Sequence, residues 1–293
     1  MEKPALLSAS SSSAFQAARV RYPRVLTIAG SDSGGGAGIQ ADLKTMSALG
    51  CYGMTAITAI TAQNTLGVTA IHGVPPGILK AQLQAVLDDI GVDAVKIGML
   101  HSAEVVEVVA WAVDHYRIQN VVLDPVMVTT SGDTLVGQDT VKVLVRELFG
   151  RALVVTPNLD EAALLLGHPI GSVTALDQAA QDLVALGARA VLLKGGHLEG
   201  TRVVDVLAQP GQPLLRLQSD RIDSRNVHGT GCTLSSAIAC CLALGAELPG
   251  SVTQARAYIL QAIASGASVR TGHGHGPLNH GHAPVAMKLL PVD

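Results

Sequence analysis

Aromatic side chains are nearly missing: two Phe, four Tyr and one Trp make up 2% of 293 residues, so the core has to be built from Ala, Val, Leu and Ile. Long hydrophobic runs are missing as well. Hydrophobic residues reach 48%, yet no apolar run approaches the ~20 residues that span a bilayer. The longest, Leu234 to Leu244, is interrupted by Ser235 and Ser236 and reads as a buried helix. No excess of one charge exists either, with 20 Lys and Arg against 23 Asp and Glu. A net charge of −3 leaves no electrostatic footprint for nucleic acid or an anionic membrane. The four cysteines, Cys51, Cys232, Cys240 and Cys241, lack C-x-x-C spacing. That excludes a zinc knuckle or disulfide framework and suits a reducing cytoplasm. Residues 1–22 are rich in Ser and Ala without the apolar stretch of a secretory signal. They are expected to be a flexible tail, with an organelle transit peptide as the alternative.

Glycine, at 31 residues, is plentiful and marks tight turns and close backbone approaches. From Arg24 onward, short apolar runs alternate with amphipathic stretches. Strands are expected at Arg24–Ala29, Ala94–Gly98, Val121–Asp124, Leu153–Thr156 and Ala190–Lys194, each apolar throughout, as suits strands buried on both faces. Helical spacing covers Ile39–Leu49, Ile78–Ile90, Ala103–Tyr116, Thr140–Phe149 and Ala175–Leu186. Ser102 and Thr174 are the expected N-caps, the latter with Asp177 three residues on. This β-α order implies an α/β fold with a mostly parallel sheet covered by helices on both sides. Residues 53–74 read as extended structure near a pocket, and Val203–Leu207 with Leu214–Leu217 as an antiparallel hairpin. Two helices, about Thr230–Leu244 and Val252–Ser268, close the chain. With no repeat or linker, residues 23–293 are expected to form one domain.

Ligands of such sheets bind at the carboxyl ends of the strands, so the loops there hold the candidates. A-G-S-D-S-G-G-G-A-G-I-Q-A-D, Ala29 to Asp42, follows the first strand but fits neither dinucleotide nor Walker spacing. Gln63 in A-Q-N-T offers donor and acceptor to a polar heterocycle or simply belongs to a polar turn, and Met99 in K-I-G-M-L flanks a flat ligand or fills the core. Asp124 in L-D-P-V-M, followed by S-G-D at Ser131 to Asp133, suits a cation or a phosphate-bound water. Asn158 and Glu161 in T-P-N-L-D-E fit equally a helix cap and a magnesium-phosphate site, with Asp160 turned elsewhere. Lys194 ends an apolar strand and needs a phosphate or a carboxylate partner. In N-V-H-G-T-G-C-T-L-S-S-A, Asn226 to Ala237, a glycine turn opens an apolar helix, which suits either an anion site or a small residue packed at a helix start. Cys232 at that helix start is expected to have a lowered thiol pKa. The His-rich segment His273 to His282 reads as a polar tail or pocket-edge loop, because its glycine spacing offers no rigid metal geometry.

Taken in order from about Val25 to Ala283, these stretches resemble the hydroxymethylpyrimidine/phosphomethylpyrimidine kinases of thiamin biosynthesis, in the ribokinase superfamily. Beyond the loops above, the likeness rests on Y-G-M-T-A-I-T-A-I-T-A-Q-N-T, L-K-G-G-H and G-H-G-H-G-P-L-N-H-G-H-A. The resemblance implies a three-layer α/β/α ribokinase-like fold, a homodimer, and magnesium-ATP (ATP with Mg2+) as phosphoryl donor. The acceptor would be the hydroxymethyl group of 4-amino-5-hydroxymethyl-2-methylpyrimidine and, in many members, its monophosphate. It places the pyrimidine against Gly30, Asp42, Gln63 and Met99. It makes Gly229, Thr230, Gly231 and Cys232 an anion hole with Cys232 as catalytic base. Asp124, Asn158, Glu161 and Lys194 fall in the nucleotide and phosphate region, with Mg2+ near Asp124 and Glu161, partly through water. Sugar kinases of the superfamily carry Asp where Cys232 stands. A pyridoxal kinase of the same superfamily is the near alternative, and a non-catalytic pyrimidine-binding regulatory module the remote one.

Overall fold

The computed structural model describes residues 20–127 and 136–292; the Ser131 to Asp133 candidate and residues 1–19 lie outside them. The chain runs β1 (Val20–Arg21), β2 (Arg24–Asp32), α1 (Gly38–Ala48), β3 (Tyr52–Asn64), β4 (Gly67–Gly73), α2 (Pro76–Asp89), β5 (Ala94–Ile97) and α3 (Ala103–His115). It continues through β6 (Val121–Leu123), α4 (Gln138–Leu148), β7 (Val154–Val155), α5 (Leu159–Leu166), α6 (Leu176–Ala185) and β8 (Val191–Leu193). It ends with β9 (Arg202–Ala208), β10 (Leu215–Asp220), α7 (Thr230–Ala243), α8 (Leu248–Gly266) and β11 (Leu290–Pro291).

Nine strands form one sheet in the order β10-β9-β8-β7-β6-β5-β2-β3-β4, and β1 pairs with β11 apart from it. The six strands from β8 to β3 are parallel, while β4, β9 and their hairpins add antiparallel edges. The extended reading of residues 53–74 is thus a hairpin, β3–β4, and the expected second hairpin is β9–β10. Two corrections concern local starts. Ser102 caps α3 through Val105 N–H, but Thr174 does not cap α6: a 3-10 turn, Val173–Ala175, precedes it and Ala175 offers no side-chain acceptor. The tail expected to run to residue 22 gives way to strand at Val20, because the backbone there pairs with Leu290–Pro291.

Strand alternation decides what faces the site. Leu26, Ile28, Val95, Ile97, Leu123, Val155 and Leu193 pack toward α2–α6 in one core cluster. Val25, Ala94, Val122, Val154 and Leu192 pack toward α1, α7 and α8 in the other. The same period of two puts Thr27, Lys96, Asp124, Thr156 and Lys194 on the α7 side. Consecutive strands lie on opposite sides of β2, with β3 on one flank and β5 on the other. The loops after β2 and β5 therefore diverge and open a crevice at the strand ends.

Beneath that crevice lies a charged knot. Lys96 Nζ contacts Asp42 Oδ1 and Oδ2 at 2.9 and 2.8 Å, and neither side chain is exposed. Thr27 Oγ1 and Ser236 Oγ donate to the same carboxylate at 2.6 and 2.7 Å. Burial opposes the Lys96 charge, yet contact with Asp42 and the field of Cys232 and Asp124 hold its pKa well above the ordinary lysine value. Removing one partner strands a buried charge, which costs about 3–5 kcal/mol. Lys96→Met should lower unfolding stability by about that amount in urea titration. Asp42→Leu added to it should recover most of the loss, and a single Lys96→Met with wild-type stability would contradict the coupling.

Candidate active site

The turn before α7 is built on glycine. Gly229, the N-cap, has φ 88°, in the left-handed region, and a Cβ there would collide with the Gly36 carbonyl oxygen. The turn therefore lies directly on the glycine loop that follows β2. No side chain caps α7. Thr233 N–H returns to Gly229 O at 2.9 Å and Thr230 N–H to Val227 O at 3.2 Å. Among the described residues the N–H groups of Gly231 and Cys232 have no such acceptor. With the partial positive charge of the helix start they give this turn the electrostatics of a cradle for an anion. The cradle is narrower than the whole run Gly229–Cys232, because Thr230 spends its N–H on its own turn.

The Cys232 thiol is not lowered as expected. Burial pushes it up to about 11, and Asp42 and Asp124 push the same way, against the opposing pull of Lys96 and a Gly38 N–H. Two neighbouring carboxylates and loss of water outweigh the half-charge of one helix end.

Below the cradle, Lys194 Nζ bonds Asp124 Oδ1 at 2.8 Å, and Thr156 Oγ1 bonds the same oxygen at 3.1 Å. Lys194 has thus found the carboxylate. Gly231 sits above the pair, since a Cβ on it would lie 3.3 Å from both Asp124 Oδ2 and Lys194 Nζ. Asn158 and Glu161 form a reciprocal capping box at the start of α5, with Asn158 N–H to Glu161 Oε2 at 2.8 Å and Glu161 N–H to Asn158 Oδ1 at 2.9 Å. Both also line the cavity, so cap and candidate site coincide. Burial, reinforced by Asp124, raises Glu161 to about 7 even though Lys194 and two backbone N–H groups favour its anion. Asp160, expected to turn elsewhere, reaches the cavity rim and bonds His197 Nδ1 at 2.9 Å.

At the other end, Gly30 makes room for Met99, whose Cε would lie 2.8 Å from a Cβ there. Thr58 Oγ1 holds the Met99 carbonyl at 2.8 Å. Gln63 joins them on the wall. Asp42 does not. The expectation that it meets the ligand is corrected: its carboxylate is fully buried below the wall and committed to Lys96, Thr27 and Ser236.

Three wall residues escaped the sequence reading. Lys96 stood inside a run read as strand, and burial of its charge is a tertiary fact. Asp32 accepts N–H bonds from Gly34, Gly36 and Ala37 at 2.8, 3.0 and 2.8 Å, a loop-organising role that Asp before Ser-Gly-Gly-Gly does signal. His228 lies 3.1 Å from Asp32 and directly precedes Gly229. The His-rich segment braces this corner from behind. His228 N–H donates to Gly276 O at 3.1 Å, His275 N–H to Thr65 O at 3.0 Å, and buried His280 Nε2 meets Thr233 Oγ1 at 3.0 Å. Among the described residues no group of three or more His, Cys, Asp or Glu is placed to hold a metal ion.

All these walls enclose one cavity of about 910 Å³, running from Gly30 and Gln63 past Cys232 to Lys194 and, between β9 and α8, to Val203, Leu260 and Ile263. A cavity of this size is ample for a small-molecule site. A family model described as phosphomethylpyrimidine kinase matches residues 32–279. The chain is 52% identical to a hydroxymethylpyrimidine/phosphomethylpyrimidine kinase of Rhizobium meliloti over 258 residues, covering 88% of this chain and 96% of that one. Among solved structures, a phosphomethylpyrimidine kinase from Clostridium difficile superposes with TM-score 0.73 at 43% identity, covering 82% of this chain and 99% of the other. An ADP complex of Bacillus subtilis pyridoxal kinase gives TM-score 0.82 at 38% identity, covering 89% and 98%. The fold is thus shared by both kinds of vitamin kinase. By sequence and by family model, this chain belongs to the phosphomethylpyrimidine kinase family.

Proposed function

We propose that this chain transfers the γ-phosphoryl group of ATP to 4-amino-5-hydroxymethyl-2-methylpyrimidine and then to the resulting monophosphate, in thiamin biosynthesis, with residues 23–293 acting as one kinase domain. The observation that carries the reading is the uncapped start of α7. It sets two free N–H groups and a thiol midway along the cavity. The pyrimidine lies against Gly30, Gln63 and Met99, and the nucleotide against Lys194, Asn158 and the apolar end between β9 and α8.

Phosphoryl transfer asks the protein for positioning and charge stabilisation more than covalent help. The acceptor hydroxyl, held beside Cys232, gives up its proton as its oxygen attacks the γ-phosphorus. Gly231 and Cys232 N–H, with Gly229 and Thr230 shaping the turn, receive the charge that develops on the transferred group. The thiolate fraction of Cys232, whose own proton has first passed to solvent, takes the hydroxyl proton on Sγ, and Lys96 beneath it favours that thiolate. Asp124 and Glu161 are the carboxylates nearest the phosphates. Asp124 is engaged by Lys194 and Glu161 by the capping box, so these two carboxylates would hold Mg2+ partly through water. Bound magnesium would neutralise phosphate charge there. The reading places the enzyme in the cytoplasm, as four free cysteines allow. No helix among the described residues is long and apolar enough to cross a membrane. It also includes a homodimer, for which exposed Ile60, Leu66 and Ile71 on the β3–β4 hairpin offer an apolar edge.

Four results test this reading. Assayed side by side with ATP, the hydroxymethylpyrimidine and its monophosphate should both be phosphorylated with kcat/KM above that of pyridoxal; preference for pyridoxal would transfer the assignment to the other vitamin kinase, and no ATP turnover with any of them would leave only a binding module. Cys232→Ala should cut kcat by about 10²- to 10⁴-fold with pyrimidine KM near wild type, and unchanged turnover removes the base. Because burial leaves the thiol protonated at neutral pH, wild-type kcat should climb about tenfold per pH unit between pH 7 and 9; a flat profile is the contrary result. Sedimentation should return twice the 30.1 kDa chain mass, and a monomer at micromolar concentration would remove the dimer.

A further inference from the structure

Three side chains from three segments meet around a single proton at the pyrimidine end of the cavity. His228 Nε2 lies 3.1 Å from Asp32 Oδ2 and 3.3 Å from Gln63 Nε2. The other amide terminus of Gln63, Oε1, lies 3.1 Å from Thr61 Oγ1, and that hydroxyl is also 2.9 Å from the Ser31 carbonyl oxygen. Counting hydrogens decides how these groups must be arranged.

Burial alone would raise the Asp32 pKa. The His228 contact and the N–H groups of Ala37 and Gly34 more than reverse that and hold the carboxyl below its usual value. Asp32 is therefore an anion at neutral pH, and the His228 nitrogen facing it carries hydrogen. A nitrogen that is donating cannot also accept from the Gln63 NH2. Thr61 has one hydroxyl hydrogen, and the Ser31 carbonyl, which can only accept, claims it. Thr61 Oγ1 can then accept from Gln63 but not donate to it. Turning the amide by half a revolution removes both mismatches: its NH2 then donates to Thr61 Oγ1, and its oxygen shares the single His228 N–H with Asp32 in a three-centre bond.

We infer that Gln63 works in this turned orientation, its carbonyl oxygen on the His228 N–H and its NH2 on Thr61, and that His228 is a positioning residue that sets specificity for the aminopyrimidine. The inference rests on the reading of the cavity as a pyrimidine kinase site. With these two bonds made, Gln63 keeps one N–H and one oxygen lone pair. An adjacent donor and acceptor pair with an amidine edge, in which a ring nitrogen accepts and the exocyclic amine donates. His228 allows that edge to bind in one register only. Pyridoxal carries no exocyclic amine and cannot use the pair in the same way. The His228 ring is itself held: a Cβ on Gly36 would collide with it, and its backbone N–H is tied to Gly276 O at 3.1 Å.

Steady-state kinetics on the full chain test this. His228→Leu should raise the pyrimidine KM about tenfold, the size of one orienting hydrogen bond. The change should fall on that KM rather than on kcat or the ATP KM, and the preference for pyrimidine over pyridoxal should shrink. His228→Gln returns an N–H at similar reach and should recover most of the loss, which a variant that had merely lost its fold would not do. In a Gln63→Leu background, His228→Leu should have no further effect, because its action runs through the amide. Additive penalties, or His228→Leu with wild-type pyrimidine KM, overturn the inference and leave the kinase reading intact. Gln63→Leu with unchanged pyrimidine KM overturns the inference and also removes Gln63 from the proposed pocket.

Discussion

Asp42 and Lys96 meet at 2.8 Å where no solvent reaches, with Thr27 and Ser236 completing the carboxylate's shell. Four elements end on this knot: β2, α1, β5 and α7. A charge pair in a protein interior is a weak source of net stability, since desolvation offsets most of the attraction. Its value is geometric. Any tilt of α7 separates Ser236 from Asp42, and any shift of α1 uncovers a buried lysine. The first turn of α7, one turn before Ser236, inherits that rigidity, and with it the placement of Cys232 and the two free N–H groups.

A second pair, Lys194–Asp124, lies under Gly231 and repeats the design farther along the cavity. The site is thus flanked by two fixed cation–carboxylate pairs whose charges nearly cancel at rest. A third fixed anion between them would meet both carboxylates as well as an incoming phosphate. A thiol held up near 11 is uncharged at rest and adds no such repulsion. This gives a physical account of a cysteine at a position where sugar kinases of the superfamily carry aspartate. The same burial that keeps it neutral also disfavours the thiolate, and Lys96 is the group that offsets this.

The strand and helix order was legible along the chain because buried parallel strands are continuously apolar and their covering helices amphipathic. All five expected strands and five expected helices are found within a few residues. Local errors arose where short-range chemistry is ambiguous. Thr174 with Asp177 matches a capping pattern, but a 3-10 turn occupies the place. Val20–Arg21 carries no strand signal of its own and is strand only because Leu290–Pro291 lies beside it. The glycine turn before α7 was legible as an uncapped helix start, because that is a local property of the backbone.

Sequence alone thus determined the α/β order, the family, and which loops meet at the carboxyl ends of the strands, since these follow from hydrophobic period and from motifs that are contiguous. Only the tertiary structure decided how the charges within those loops are spent. It turned Asp42 from a wall residue into the partner of Lys96, raised the Cys232 thiol instead of lowering it, and brought Asp32 and His228, 196 residues apart, to 3.1 Å. Those outcomes depend on burial and on neighbours distant in sequence, and desolvation and Coulomb energy are set by surroundings in space that no local pattern encodes.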